Sequence, residues 1–328
     1  MKRNFKSFII ACLIVVFYFS LSATFADSSD DKTITTPYDY PVVPKTQEWK
    51  NLNSRDEKAE VCDIPVSILN NMTTEALVET VMNYPLLVDI AAWDTPQEGF
   101  NALYESFNGL QELTKRPDVV DELKRYQQRI NAFDTEDYKI VAKRSYVEIL
   151  LQCININNDI NKEDIIYPMW SNSYVTTPRG TMVSTKYNVT WDDLGGTKAI
   201  NECAAQQAAL LDVYDSGVVV GDMTPAYNCH SYVWYSTSAS NKHNILNPSA
   251  YMTDGSYISS STCMNGNRVY YGVGDHSAIV INAASPTIRV RSKWGAMSVI
   301  EHDLLDCPYT QNGYHITYWK LNPNEYKK

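Results

Sequence analysis

Tyr227-Asn228-Cys229-His230-Ser231-Tyr232-Val233-Trp234-Tyr235 and, further along, Gly274-Asp275-His276-Ser277-Ala278-Ile279-Val280 decide how this chain is read. The first run places a cysteine where a polar loop, Thr224-Pro225-Ala226, turns into an aromatic, helix-compatible stretch. The second places a histidine at the head of a β-branched strand. A thiol at a helix N-terminus feels the positive end of the helix dipole, which can lower its pKa to ~3.5–7.5, and a nearby imidazole can hold the thiolate as an ion pair. Cys229 and His276 therefore read as nucleophile and base. Alone, each has an ordinary explanation, a buried or paired cysteine and a strand-end histidine; together they point to chemistry. His230 is the next residue after the thiol and is expected to leave the helix in another direction. It is assigned to substrate binding, with Tyr227.

These runs resemble secreted papain-like cysteine hydrolases of the NlpC and CHAP amidase type. In that pattern Asn228-Cys229-His230-Ser231-Tyr232-Val233 stands for the catalytic helix start, Gly266-Asn267-Arg268-Val269-Tyr270-Tyr271 for the following strand, and His276-Ser277-Ala278-Ile279-Val280-Ile281 for the strand with the base. The family's aspartate before the cysteine is Asn228 here, and its Ser-Gly is His230-Ser231. The resemblance spans roughly Gly217 to Trp319. It implies hydrolysis of a peptide or amide bond, with peptidoglycan stem peptides or bridges as the leading substrate. Acyl transfer by the same dyad, and a non-catalytic secreted binding or adhesion module on the same fold, are the alternatives.

Papain-like sites fix the histidine with a third polar group, usually on the next strand. That strand ends Arg291-Ser292-Lys293-Trp294-Gly295, without the usual His, Asn, Gln or Glu. Ser292 alternates with Ile288 and Val290 and is taken as the third residue; Lys293, Glu301 and His302 are the other candidates. Trp294 reads either as a core tryptophan or as a shield of the pair from water, and in the second role it joins the substrate-binding residues. No His or Cys pair has zinc spacing, so neither metal nor cofactor is expected.

Residues 1–26 read as a signal peptide: Lys2, Arg3 and Lys6, an apolar run from Phe8 to Phe19, then Ser20 to Ala26. The expected product is secreted, extracellular or held in the cell envelope, with no stable membrane insertion once the signal is removed. Its loss takes three of the 28 basic residues and none of the 38 acidic ones, so the formal charge falls from −10 to −13. An acidic chain without a basic block is a poor nucleic-acid ligand, and the expected partner is a peptide or peptidoglycan-type substrate. Outside the signal, Cys62, Cys153, Cys203, Cys229, Cys263 and Cys307 form an even set, which in an exported chain suggests three disulfides. A catalytic Cys229 breaks that arithmetic.

The fold class is α+β: an all-α N-terminal domain, then a papain-like domain with helices on a small antiparallel sheet. Residues 27–58, with Pro37, Pro41 and Pro44, read as an extended linker or wrapping arm that packs little. Residues 59–153 carry helical periodicity, including a Thr95-Pro96-Gln97-Glu98 start, and form the helical domain. Residues 154–196 are a connector with a hairpin about Pro178-Arg179-Gly180, and residues 197–328 are the hydrolase domain.

Overall fold

Strand alternation and tight turns generate, among the described residues, the strands β1 (Ser171–Thr176), β2 (Met182–Tyr187), β3 (Val218–Val219), β4 (His243–Ile245), β5 (Tyr257–Ser260), β6 (Arg268–Tyr271), β7 (His276–Asn282), β8 (Arg289–Lys293), β9 (Val299–Asp303) and β10 (Ile316–Leu321). The computed structural model describes residues 33–158, 171–272, 275–310 and 315–327. The expected signal segment lies outside them. All strand pairs are antiparallel: one sheet runs β3-β9-β8-β7-β6-β10-β5, and a smaller one runs β1-β2-β4. The mixture of helices and antiparallel sheet is α+β.

β7 is the central strand of the large sheet, and its alternation sorts two environments. Ala278 and Val280 join Val269, Val290, Ile300 and Trp294 in the main core, whereas Ile279 packs against a second cluster containing Tyr232, Val233 and Trp234. Strand β9, beyond the Gly295 turn, was not foreseen; it holds two of the third-residue candidates, Glu301 and His302. Glu301 pairs with Arg291 across the sheet, Arg291 Nε to Glu301 Oε1 at 3.0 Å, so charge complementarity carries that register.

The helices follow local signals. Helix Pro96–Ser106 has the expected capping box, with Thr95 Oγ1 accepting from Glu98 N and Glu98 accepting from Thr95 N. It lies so close to the turn at Pro85–Ala91 that a Cβ on Gly99 would sit 2.0 Å from the Ile90 carbonyl oxygen. Helix Thr197–Val213 starts one residue earlier than a Thr197 cap would place it, with Gly196 at the N-cap. It packs along helix Tyr138–Asn158.

Two expected boundaries do not describe the molecule. Residues from Thr33 onward form one unit, and Leu103, Leu150, Leu210, Val280 and Trp294 belong to a single hydrophobic cluster, so the core is not divided at residue 153. The described part of the 27–58 arm is not a loose linker either. Trp49 is 1 % exposed and donates from Nε1 to the Val213 carbonyl at 2.9 Å. Lys58 is buried and paired with Asp306, and Arg55 with Asp89, Nε to Oδ2 at 2.7 Å. Beyond the prolines the arm forms two short helices, Gln47–Lys50 and Arg55–Glu60, and these carry the aromatic and charged anchors into the core.

Candidate active site

The cysteine turn is fixed by one side chain, Asn228. Its Oδ1 accepts from Ser231 N at 3.1 Å, an N-cap bond, and from Ile245 N at 3.1 Å. Its Nδ2 donates to the Ile245 carbonyl at 2.8 Å and to Asp94 Oδ2 at 2.6 Å. An aspartate at this position would lose both donors and face Asp94. Cys229 and His230 open the helical segment, which widens at Ser231–Tyr235, where Ser236 N bonds the Ser231 carbonyl five residues back at 2.9 Å, and stops at extended Ser236.

Cys229 lines a cavity of about 450 Å³. The cavity draws on segments far apart in the chain: Trp93, Asp94 and Glu98 from the helical region, Lys186 from β2, Tyr227, Cys229 and His230 from the turn, and Asp275, His276 and Tyr309 from the sheet and its following loop. Gly295, at φ 49°, closes one wall; a Cβ there would lie 3.0 Å from the Trp93 carbonyl oxygen. Asp94 went unremarked in the sequence, and Glu98 was read only as a capping residue, because the acids of this helical stretch looked like a solvated face. Crowding by protein raises the pKa of both carboxyls by desolvation, and Asp94 adds to the rise at Glu98.

His230 does not turn away from the thiol. Its Nδ1 meets Ser277 Oγ at 2.8 Å, and its Nε2 lies 3.3 Å from Asp275 Oδ1. Side chains in a first helical turn lean toward the N-terminus, which lets two consecutive residues reach the same wall. Burial opposes charge on this ring, but the electrostatic pull of Cys229, followed by hydrogen bonding to Asp275 and Cys229, outweighs it and raises the pKa to about 10. Asp275 in turn is held below the usual carboxylate range: desolvation opposes this, and the bond to His230 overcomes it with help from Tyr270, whose OH donates at 2.8 Å. Asp275 adopts φ 38°, a left-handed conformation that Asp tolerates better than most residues. Ser277 accepts from Trp234 Nε1 at 2.8 Å and ties the helical segment to β7.

His276 shares the cavity with Cys229 but points its strand position toward the main core side. It is 1 % exposed and stacks face to face on Tyr309, centroids 3.5 Å apart. Burial, then the nearby His302 and His230, drive its pKa well below 6.5, so it is neutral. Its Nε2 is buried without a hydrogen-bond partner among the described residues.

None of the four candidates for a third residue bonds His276 among the described residues. Ser292 Oγ is 2.9 Å from His302 Nε2 and accepts from Trp294 Nε1 at 3.0 Å. Lys293 donates to the Gly295 carbonyl at 2.9 Å and to that of Met297; Glu301 binds Arg291; His302 Nδ1 meets the Asp303 carbonyl at 2.8 Å. Ser292 therefore belongs to a core network. Trp294 likewise stands behind the cavity wall, edge-on to Tyr309, and not on the substrate side. Tyr227 does line the cavity, with the Lys293 ammonium 5.3 Å from its ring centroid.

All six cysteines in the described residues are free, so the three expected disulfides are not formed. Burial pushes Cys62 and Cys307 up to about 12 and Cys153 and Cys203 up to about 11. Cys229 differs in having a histidine partner. No family model, no curated protein and no solved structure matches this chain. No described helix is long and apolar enough to cross a membrane.

Proposed function

We propose that this chain is an exported cysteine hydrolase of papain-like layout, cleaving a peptide or amide bond, with peptidoglycan peptides as the leading substrate. One observation carries the reading: Cys229, at a helix start on a cavity wall, is backed by the His230–Asp275 pair. The pair supports proton exchange between the Cys229 sulfur and His230, which generates the attacking thiolate. The thiolate attacks the carbonyl, and the N–H groups of the helix start, which lack intrahelical partners, receive the oxyanion. His230 passes its proton to the departing amine, leaving a thioester. Water then attacks the thioester as neutral imidazole takes its proton, and the tetrahedral intermediate collapses to free acid and thiol. His276, neutral and with an uncommitted Nε2, is suited to that second step. Two histidines whose environments push their pKa values apart divide the acid and base roles. With an amine in place of water, the same steps give acyl transfer.

The test is release of soluble peptides or new amino groups from purified peptidoglycan by the secreted chain and by Cys229→Ala. Release by the parent alone is expected. Equal release, or none with Cys229 refractory to iodoacetamide, would favour a binding module.

A further inference from the structure

The β1–β2 hairpin brings a second hollow against the first. This hollow, about 350 Å³, lies over β2 and the segment after β4, and it shares Lys186 and Leu246 with the Cys229 cavity. Strand β2 alternates exposed Met182 and Ser184 with buried Val183 and Thr185. Its register sets Tyr174 beside Ser184 and Asn172 beside Lys186 on that outer face. Three large apolar side chains are left in water there: Met182 at 64 %, Tyr174 at 58 % and Leu246 at 55 % exposure. Lys186 Nζ is turned along the sheet to Asn172 Oδ1 at 3.2 Å.

Resting on the reading of Cys229 as nucleophile, we infer that the outer face of the β1–β2–β4 sheet is a substrate subsite that takes an apolar side chain of a peptide whose reacting carbonyl lies at Cys229. Continuity carries the argument. A chain reaching the thiol past Lys186 and Leu246 has Met182 and Leu246 beside it, and these offer apolar contact where a lone surface residue would not. Methionine, unbranched and polarizable, suits side chains of varied shape. A pocket contact of this kind discriminates by about 10–200-fold.

The experiment uses the full chain and tetrapeptidyl vinyl sulfones that alkylate a thiol, with leucine or aspartate walked through the three positions beyond the warhead. Labelling of Cys229 is read by peptide mapping, and iodoacetamide serves as the small probe. At one position or more, leucine should label about tenfold faster than aspartate or better. The variant Met182→Asp should lose that preference while iodoacetamide labels Cys229 at the parent rate; Met182 is exposed and lines only the second hollow, so the fold and the Cys229 cavity are spared. Equal labelling by leucine and aspartate probes at all positions, with iodoacetamide labelling intact, overturns the subsite and leaves the nucleophile standing. Failure of iodoacetamide to label Cys229 overturns both. Retention on chitin that Met182→Asp abolishes, without peptide discrimination, would assign the face to a glycan and overturn the peptide.

Discussion

Two histidines meet the same cavity from opposite sides of strand β7, and their surroundings make them different reagents. His230 lies on the face of Ser277 and is charged, because a carboxylate and a thiol border its ring. His276 lies on the face of Ala278, neutral, because an aromatic ring covers it and its neighbours are other imidazoles. Residue type does not assign the roles; the charge bordering each ring does. If the comparison holds, replacing the two should give separable defects. His230→Ala should slow iodoacetamide labelling of Cys229 at pH 7 and lower turnover by ~10²–10⁴. His276→Gln should lower turnover while leaving labelling within about twofold, since it removes a base and no cation. Equal labelling defects in both variants would break the comparison.

The neutral side of β7 also sets the acid limit of the fold. His302, fully buried against Ser292 and Trp294, has its pKa lowered to about 4, chiefly by burial. As pH falls from 6.5, the unfolded chain takes up a proton that native His302 refuses until about 4. Stability is therefore lost with acid over that window, by about 3 kcal/mol for this residue. His276 acts in the same direction. Urea unfolding between pH 7 and 4 should show this loss, and His302→Gln should flatten it. An unchanged acid slope in the variant would place the lost protons elsewhere.

The Cys229 turn was legible because its signals are local: a helix start at Cys229, a β-branched strand after His276 and the Thr95–Glu98 capping box each declare themselves within a few residues. What was hidden is long-range. Asp94 meets Asn228 across 134 positions, and no local pattern in either segment announces it. Ser292 looked available because alternation gives the face of a strand, not the partner waiting on it, here His302 and Trp294. The expected division at residue 153 failed for a related reason. Helical periodicity reveals an apolar face but not what covers it, and here sheet residues contribute to the same core. Asn228→Asp turns the hidden contact into a measurement. It sets a carboxylate against Asp94 and removes the donor to the Ile245 carbonyl, so unfolding stability should fall by roughly 2 kcal/mol, the cost of an unsatisfied buried group. The added change Asp94→Asn should recover part of it.

The smallest expected effect is also the sharpest test of what holds His230 charged. Asp275→Asn keeps a residue type that tolerates the left-handed backbone at φ 38°, so the turn should survive. It removes the carboxylate while leaving Cys229 and Ser277 in place. His230 is protonated below its raised pKa, and the loss of Asp275 lowers that pKa, so the imidazolium is lost at lower pH. At pH 7 the ring should still carry its proton, and labelling of Cys229 should change by about twofold or less. The difference should emerge on the alkaline side: turnover that depends on proton donation from His230 should fall at lower pH in Asp275→Asn than in the parent. An alkaline limb that stays in place, with the pH 7 rate also unchanged, would mean that Cys229 alone holds the charge on His230 and that Asp275 serves only to shape the turn.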